Sequence, residues 1–171
     1  MAVKGLKNVL GSLKKFGEEA EKSVEIITFT NAKDIEISAK SLAPKNVGKL
    51  AQSIHTQEVN KTFYKIVVGL DYGAYVEFGT GAKVRVPTEL KDQAAKFRGG
   101  RGGSFKDGLR SIKDWCRTKG IDESAAYPIF ISILRNGITP QPYLYPSWKA
   151  GQKEYLKDLK KELKLLTKKY N

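Results

Sequence analysis

The sequence predicts an α+β fold: a long N-terminal helix packed on a small antiparallel sheet of three to four strands, a helical insertion after the third strand, and a C-terminal amphipathic helix. Three observations carry this expectation. Apolar residues in the first forty positions recur at alternating four- and three-residue steps, the period of one helix face. Between Ile54 and Phe78 the period shortens to two, with turn residues between the runs. From Leu156 to Tyr170 the helical period returns, now surrounded by lysines.

Leu6, Leu10, Leu13, Ala20, Val24 and Ile27 form the first stripe, with Gly17 filling one slot and Phe16 and Ile26 widening it. The β-branched run Glu25–Thr30 could interrupt the helix locally, but the pattern resumes through Ile35 to Leu42. Pro44 ends it, because its ring clashes with the preceding turn and it has no N–H to donate. Gly48 then permits a tight reversal before Leu50 and Ile54 begin a strand. Strands are expected near Ile54–Val59 and Phe63–Gly69, joined around Asn60-Lys61. A third follows at Tyr72–Phe78, where Tyr72, Ala74, Val76 and Phe78 alternate with Gly73, Tyr75 and Glu77. Strands this close in sequence imply an antiparallel meander, one face covered by the long helix. Val84-Arg85-Val86-Pro87 reads as a short edge strand, where proline is tolerated.

Arg98-Gly99-Gly100-Arg101-Gly102-Gly103 reads as a flexible loop that could also contact DNA, RNA or a neighbouring subunit. It lacks the Gly-Lys-Ser/Thr of a phosphate-binding loop. Leu109, Ile112, Lys113 and Cys116 share a helix face near Trp115, and Gly120 serves as its cap. Asp122 caps a second helix running to Arg135 and ended by Asn136-Gly137; its apolar residues are numerous enough for burial on more than one side. Thr139–Pro146, with three prolines and two tyrosines, is either a linker capping the sheet edge or an aromatic contact surface. The last helix is expected from Ser147, with Leu156, Leu159, Leu163, Leu166 and Tyr170 on its apolar stripe. That stripe is narrow and lacks Trp and Phe, so packing within the chain or on a neighbour is favoured over a membrane surface.

Three motifs, in order, resemble one family. These are Ala43-Pro44-x-x-x-Gly48-x-Leu50-x-x-Ser53-Ile54, Tyr72-x-x-Tyr75-Val76-Glu77-Phe78-Gly79-Thr80, and Pro142-Tyr143-Leu144-Tyr145-Pro146. Their spacing is similar to that of the tail-completion (neck, head-to-tail joining) proteins of long-tailed double-stranded DNA bacteriophages, over roughly residues 20 to 150. Two positions depart from the pattern: Asn46-Val47 replaces the usual Asp-Thr, and Ser147 the usual Ala. The resemblance implies a structural virion protein forming a ring, commonly a hexamer, at the head–tail junction and assembled in the host cytoplasm. Its implied partners are a connector or stopper on the head side, a tail tube or tail terminator on the tail side, and DNA in the channel. The length of 171 residues predicts one domain: helix 1–43, sheet 44–87, loop and helical insertion 88–138, and proline-rich segment with C-terminal helix 139–171. Candidate subunit contacts are Tyr75, Glu77, Phe78, Gly79, Pro142, Tyr143 and Tyr145. Candidate contacts to DNA or a partner are Lys83, Arg85, Arg98 and Arg101.

Composition bounds the alternatives. The net charge of +13 suits a solvated surface, a shell around DNA or an acidic protein partner. No apolar run approaches the ~18 residues of a membrane span, and the N-terminus lacks the contiguous apolar stretch of a signal peptide. Cys116 and His55 are each the single residue of their type, which argues against a disulfide framework or a Cys- or His-based metal site. His55 is expected as a solvated or edge residue. No cofactor motif and no catalytic constellation emerge: there is no triad, no HExxH and no nucleophile elbow, and Glu77, the most conspicuous acid, lacks a catalytic partner. An enzyme is therefore not expected. A tail terminator or minor tail protein, and an unrelated basic nucleic-acid-binding domain, remain the alternatives.

Overall fold

The computed structural model describes residues 2–45, 48–96 and 104–170. The described chain forms two compact units, one of residues 1–69 with 143–171 and one of residues 70–142.

In the first unit, α1 (Ala2–Leu42) is one uninterrupted helix through the β-branched run. It ends just before Pro44, as the missing N–H requires. Gly48 takes a left-handed φ of 73° and leads into the short α2 (Lys49–Ser53), so Leu50 belongs to a helix and the strand begins at Ile54. Strands β1 (Ile54–Asn60) and β2 (Phe63–Val68) pair antiparallel, from Ile54 opposite Val68 to Asn60 opposite Phe63. Asn60 closes the turn by accepting the Thr62 N–H at 3.0 Å. His55 is exposed.

The last helix, α7 (Leu144–Tyr170), lies antiparallel along α1. The pairing is marked by Ser38 with Ser147, Asn31 with Gly151, Thr28 with Tyr155 and Ser23 with Glu162. The Phe16 and Tyr170 rings close it edge-on, with centroids 5.6 Å apart. The helix starts three residues before Ser147 because Pro146 falls in the first turn, where no backbone N–H needs an intrahelical partner. The expected leucine stripe is displaced. Leu166 is buried and Leu159 half-buried, but Leu156 and Leu163 are exposed, and Gly151, Tyr155 and Glu162 face the seam instead. Ala32, Ile35 and Ala39 of α1, with Ala43 just beyond its end and Leu50, Ile54 and Tyr143, supply most of this unit's core.

In the second unit, α3 (Gly73–Phe78) replaces the expected third strand. A six-residue run can satisfy both periods; here the buried positions are Gly73 and Glu77, four apart, which is the helical spacing. The sheet therefore has two strands rather than three to four. Val84–Pro87 is irregular chain between two single turns, Gly81–Lys83 and Thr88–Leu90, with Val84 buried, so the expected edge strand does not form.

After α4 (Lys91–Ala95) come α5 (Phe105–Lys119) and α6 (Ala126–Asn136). Ser104 caps α5 by accepting the Asp107 N–H, and Gly120 ends it at φ 67°. Asp122 accepts the Ser124 N–H, initiating the single turn that leads into α6. Cys116, Ala126 and Phe130 are buried, while Tyr127 and Leu134 are exposed, so α6 is buried on one side. The Arg98–Gly103 tract lies outside the described residues.

Candidate functional site

The Tyr75–Gly79 motif forms α3 and its end. Gly79 has φ 74° and ψ −175°, a region closed to residues with a Cβ. It is also crowded: a Cβ there would stand 2.6 Å from the Ile138 carbonyl oxygen and 2.9 Å from Pro140 Cδ. The segment 138–141 runs alongside. Thr80 N–H donates to the Ile138 carbonyl at 3.1 Å and Gln141 N–H to the Val76 carbonyl at 2.8 Å. Ile138 N–H donates to Thr80 Oγ1 at 2.8 Å. Glu77 is buried, Tyr75 and Phe78 are half-buried, and Pro142 is exposed at the end of this unit. Five candidates, Tyr75, Glu77, Phe78, Gly79 and Pro142, thus fall in the second unit.

Tyr143 and Tyr145 belong to the first unit. Tyr143 is fully buried, and its carbonyl accepts the Ser147 hydroxyl at 2.7 Å. The Tyr145 and Trp148 rings lie 6.1 Å apart, with the Lys149 ammonium 5.5 Å and 5.2 Å from their centroids. Of the basic candidates, Lys83 and Arg85 are exposed on either side of Val84. Arg98 and Arg101 lie outside the described residues.

Sequence reasoning missed three features of the first unit. The first is Glu36, a buried carboxylate on α1. Its Oε1 accepts Lys40 Nζ at 2.6 Å; its Oε2 accepts Lys33 Nζ at 2.9 Å and the Thr56 N–H of β1 at 2.8 Å. The Lys40 hydrogen bond, followed by that from Thr56, holds the carboxyl far below the usual carboxylate range. Glu36 therefore fastens the sheet to the helix. The spacing of Lys33, Glu36 and Lys40 was the available signal, but it does not reveal the bond to a strand.

The second is an open groove of about 440 Å³ between α1, the hairpin and the start of α7, lined by Ala32, Ile35, Phe63, Ile66, Trp148 and Tyr155 among others. The third is the start of α1, where Leu6, Val9, Leu10 and Leu13 are all more than half exposed. Among the described residues, no group of His, Cys, Asp or Glu could hold a metal ion, and no helix is long and apolar enough to cross a membrane. The groove and the start of α1 both leave apolar side chains exposed.

Residues 7–79 match the HK97-gp10-like family model, described as "Bacteriophage HK97-gp10, putative tail-component". The segment runs from α1 through the hairpin to the end of α3, and so contains the first motif and the second as far as Gly79, but not Pro142–Pro146. The class to which this part of the chain is similar is thus a structural component of bacteriophage tails. Nothing among curated proteins or solved structures matches the chain.

Proposed function

We propose that the chain is a tail-completion, or neck, protein of a tailed double-stranded DNA bacteriophage. In this reading it is a non-enzymatic virion part, one functional domain built of two units. Copies form a ring around the DNA channel at the head–tail junction, between a connector or stopper and the tail tube or its terminator. The match of residues 7–79 to a family of phage tail components carries the proposal. Two features support assembly through contact surfaces: the glycine-locked α3 end, and the exposed apolar residues of α1 and the groove.

The test is electron microscopy of lysates from a phage lacking this gene. DNA-filled heads beside finished tails of normal length are expected. Overlong tubes would reassign the chain to tail termination, and intact infectious particles would overturn the proposal.

A further inference from the structure

The apolar stripe of α1 is covered by α7 only in part. Tyr170, the last residue of α7, sits against Phe16. Beyond that contact the stripe continues through Leu13, Leu10, Val9 and Leu6, which are 60, 57, 56 and 60% exposed. Their spacing, i, i+3, i+4 and i+7, is that of a helix that lays one face into a groove. The same unit carries such a groove, in which Phe63 and Trp148 are 49% and 44% exposed. Its floor along α1, Thr28 to Ile35, spans eight residues, as do the anchors Leu6 to Leu13; with a rise of 1.5 Å between successive residues both are about 10 Å long.

One chain cannot satisfy itself. Leu10 and Asn31 lie on one unbroken helix, about 30 Å apart by the same rise, so the arm cannot fold back into its own groove.

We propose that the arm Leu6–Leu13 of one copy seats in the groove of a second copy, head to tail. The arm's stripe continues the face of α1 that packs on α7 within the chain, so the face offered to the groove is one the fold already buries further along the same helix. Such a contact is heterologous, and repetition yields a ring where the rotation closes. One junction removes on the order of 1,000 Å² in all, the low end for specific interfaces. Single junctions are therefore weak, and closure, in which every copy gives one arm and receives one, stabilises the assembly. Each copy carries a net charge of +13, so added salt relieves repulsion and favours assembly. A nucleic-acid contact has the opposite salt dependence.

This inference deepens the ring reading above, but its test uses purified protein and stands apart from the phage experiment. An arm variant (L6Q/L10Q/L13Q) and a groove variant (F63S/W148S) are each compared with the wild-type chain by sedimentation, with circular dichroism to check folding. The wild type is expected to form closed oligomers, more readily at high salt, and each variant alone to stay monomeric. Their mixture should stop at a dimer, joined through the one intact arm and the one intact groove.

As a second measurement, Val9→Cys and Thr62→Cys copies are mixed with a short bismaleimide, which should link the two kinds of copy. Buried Cys116 stays in place. Self-association of the arm variant, or no link between the two cysteine variants at the highest soluble concentration, would each overturn the inference. A normal virion lacking the gene, together with these positive results, would sink the neck assignment and leave the contact standing.

Discussion

Replacing Gly79 with alanine should be among the most damaging single changes in this chain. Three costs add at that position. A Cβ at φ 74°, ψ −175° carries backbone strain of about 1–3 kcal/mol. The new atom also meets the Ile138 carbonyl oxygen at 2.6 Å and Pro140 Cδ at 2.9 Å. Neither is the end of a flexible side chain, so relief requires moving the 138–141 segment. That motion strains the bonds of Thr80 to Ile138 and Gln141 to Val76, each contributing about 1 kcal/mol. The total is about 3–6 kcal/mol, against the ~1 kcal/mol of an average substitution.

Gly120→Ala is the control. It shares a positive φ, 67°, but nothing lies within 4 Å of its Cβ. It should lose only about 1–2 kcal/mol, the cost of the left-handed conformation. Urea unfolding of both variants, with hydrogen exchange at the Thr80 and Gln141 amides as a local probe, makes the comparison. The amides should lose protection in Gly79→Ala and keep it in Gly120→Ala. Equal losses in the two variants would refute the argument that the approach of a second segment, and not the turn alone, demands the motif's glycine.

The remaining predictions concern the first unit. Glu36 has a carboxyl pKa lowered on folding, so its contribution is present above the unfolded value near 4.5 and is lost as pH falls below it. The urea midpoint of the wild type should therefore drop between pH 5 and pH 3, and Glu36→Gln should drop less; parallel pH profiles would disprove the role of this carboxylate. At pH 7, Glu36→Ala leaves the Thr56 N–H without its acceptor and should lose about 1–3 kcal/mol by the same assay. Gly151→Ala would gain up to about 1 kcal/mol in helix propensity on an open face. Here its Cβ would stand 2.6 Å from Cδ1 of buried Ile35, so overpacking of about 1–3 kcal/mol should leave it destabilised on thermal melting. A higher melting temperature would show that α1 and α7 do not need the close approach.

Punctuation and long-range periodicity were legible without coordinates. Pro44 ends α1, Gly48 turns the chain, Asn60-Lys61 joins the hairpin, and Gly120 and Gly137 end their helices. Each of these residues acts through its own backbone or its nearest neighbours, so its identity is enough. The long helices were legible for a related reason, since many repeats of one period exclude the other.

Tertiary structure decided the rest. Six residues from Gly73 to Phe78 fit either period, and burial of Gly73 and Glu77, four apart, goes with the helical one. The leucines of α7 divided into buried and exposed sets because the seam is defined by Gly151, Tyr155 and Glu162 meeting polar and small residues of α1. Glu36 became a buried clasp only because a strand twenty residues away offers it an N–H. The sequence by itself determined where regular structure starts, stops and repeats, since those choices rest on local sterics. Which face meets which partner depends on contacts between distant residues, and only the folded chain could decide that.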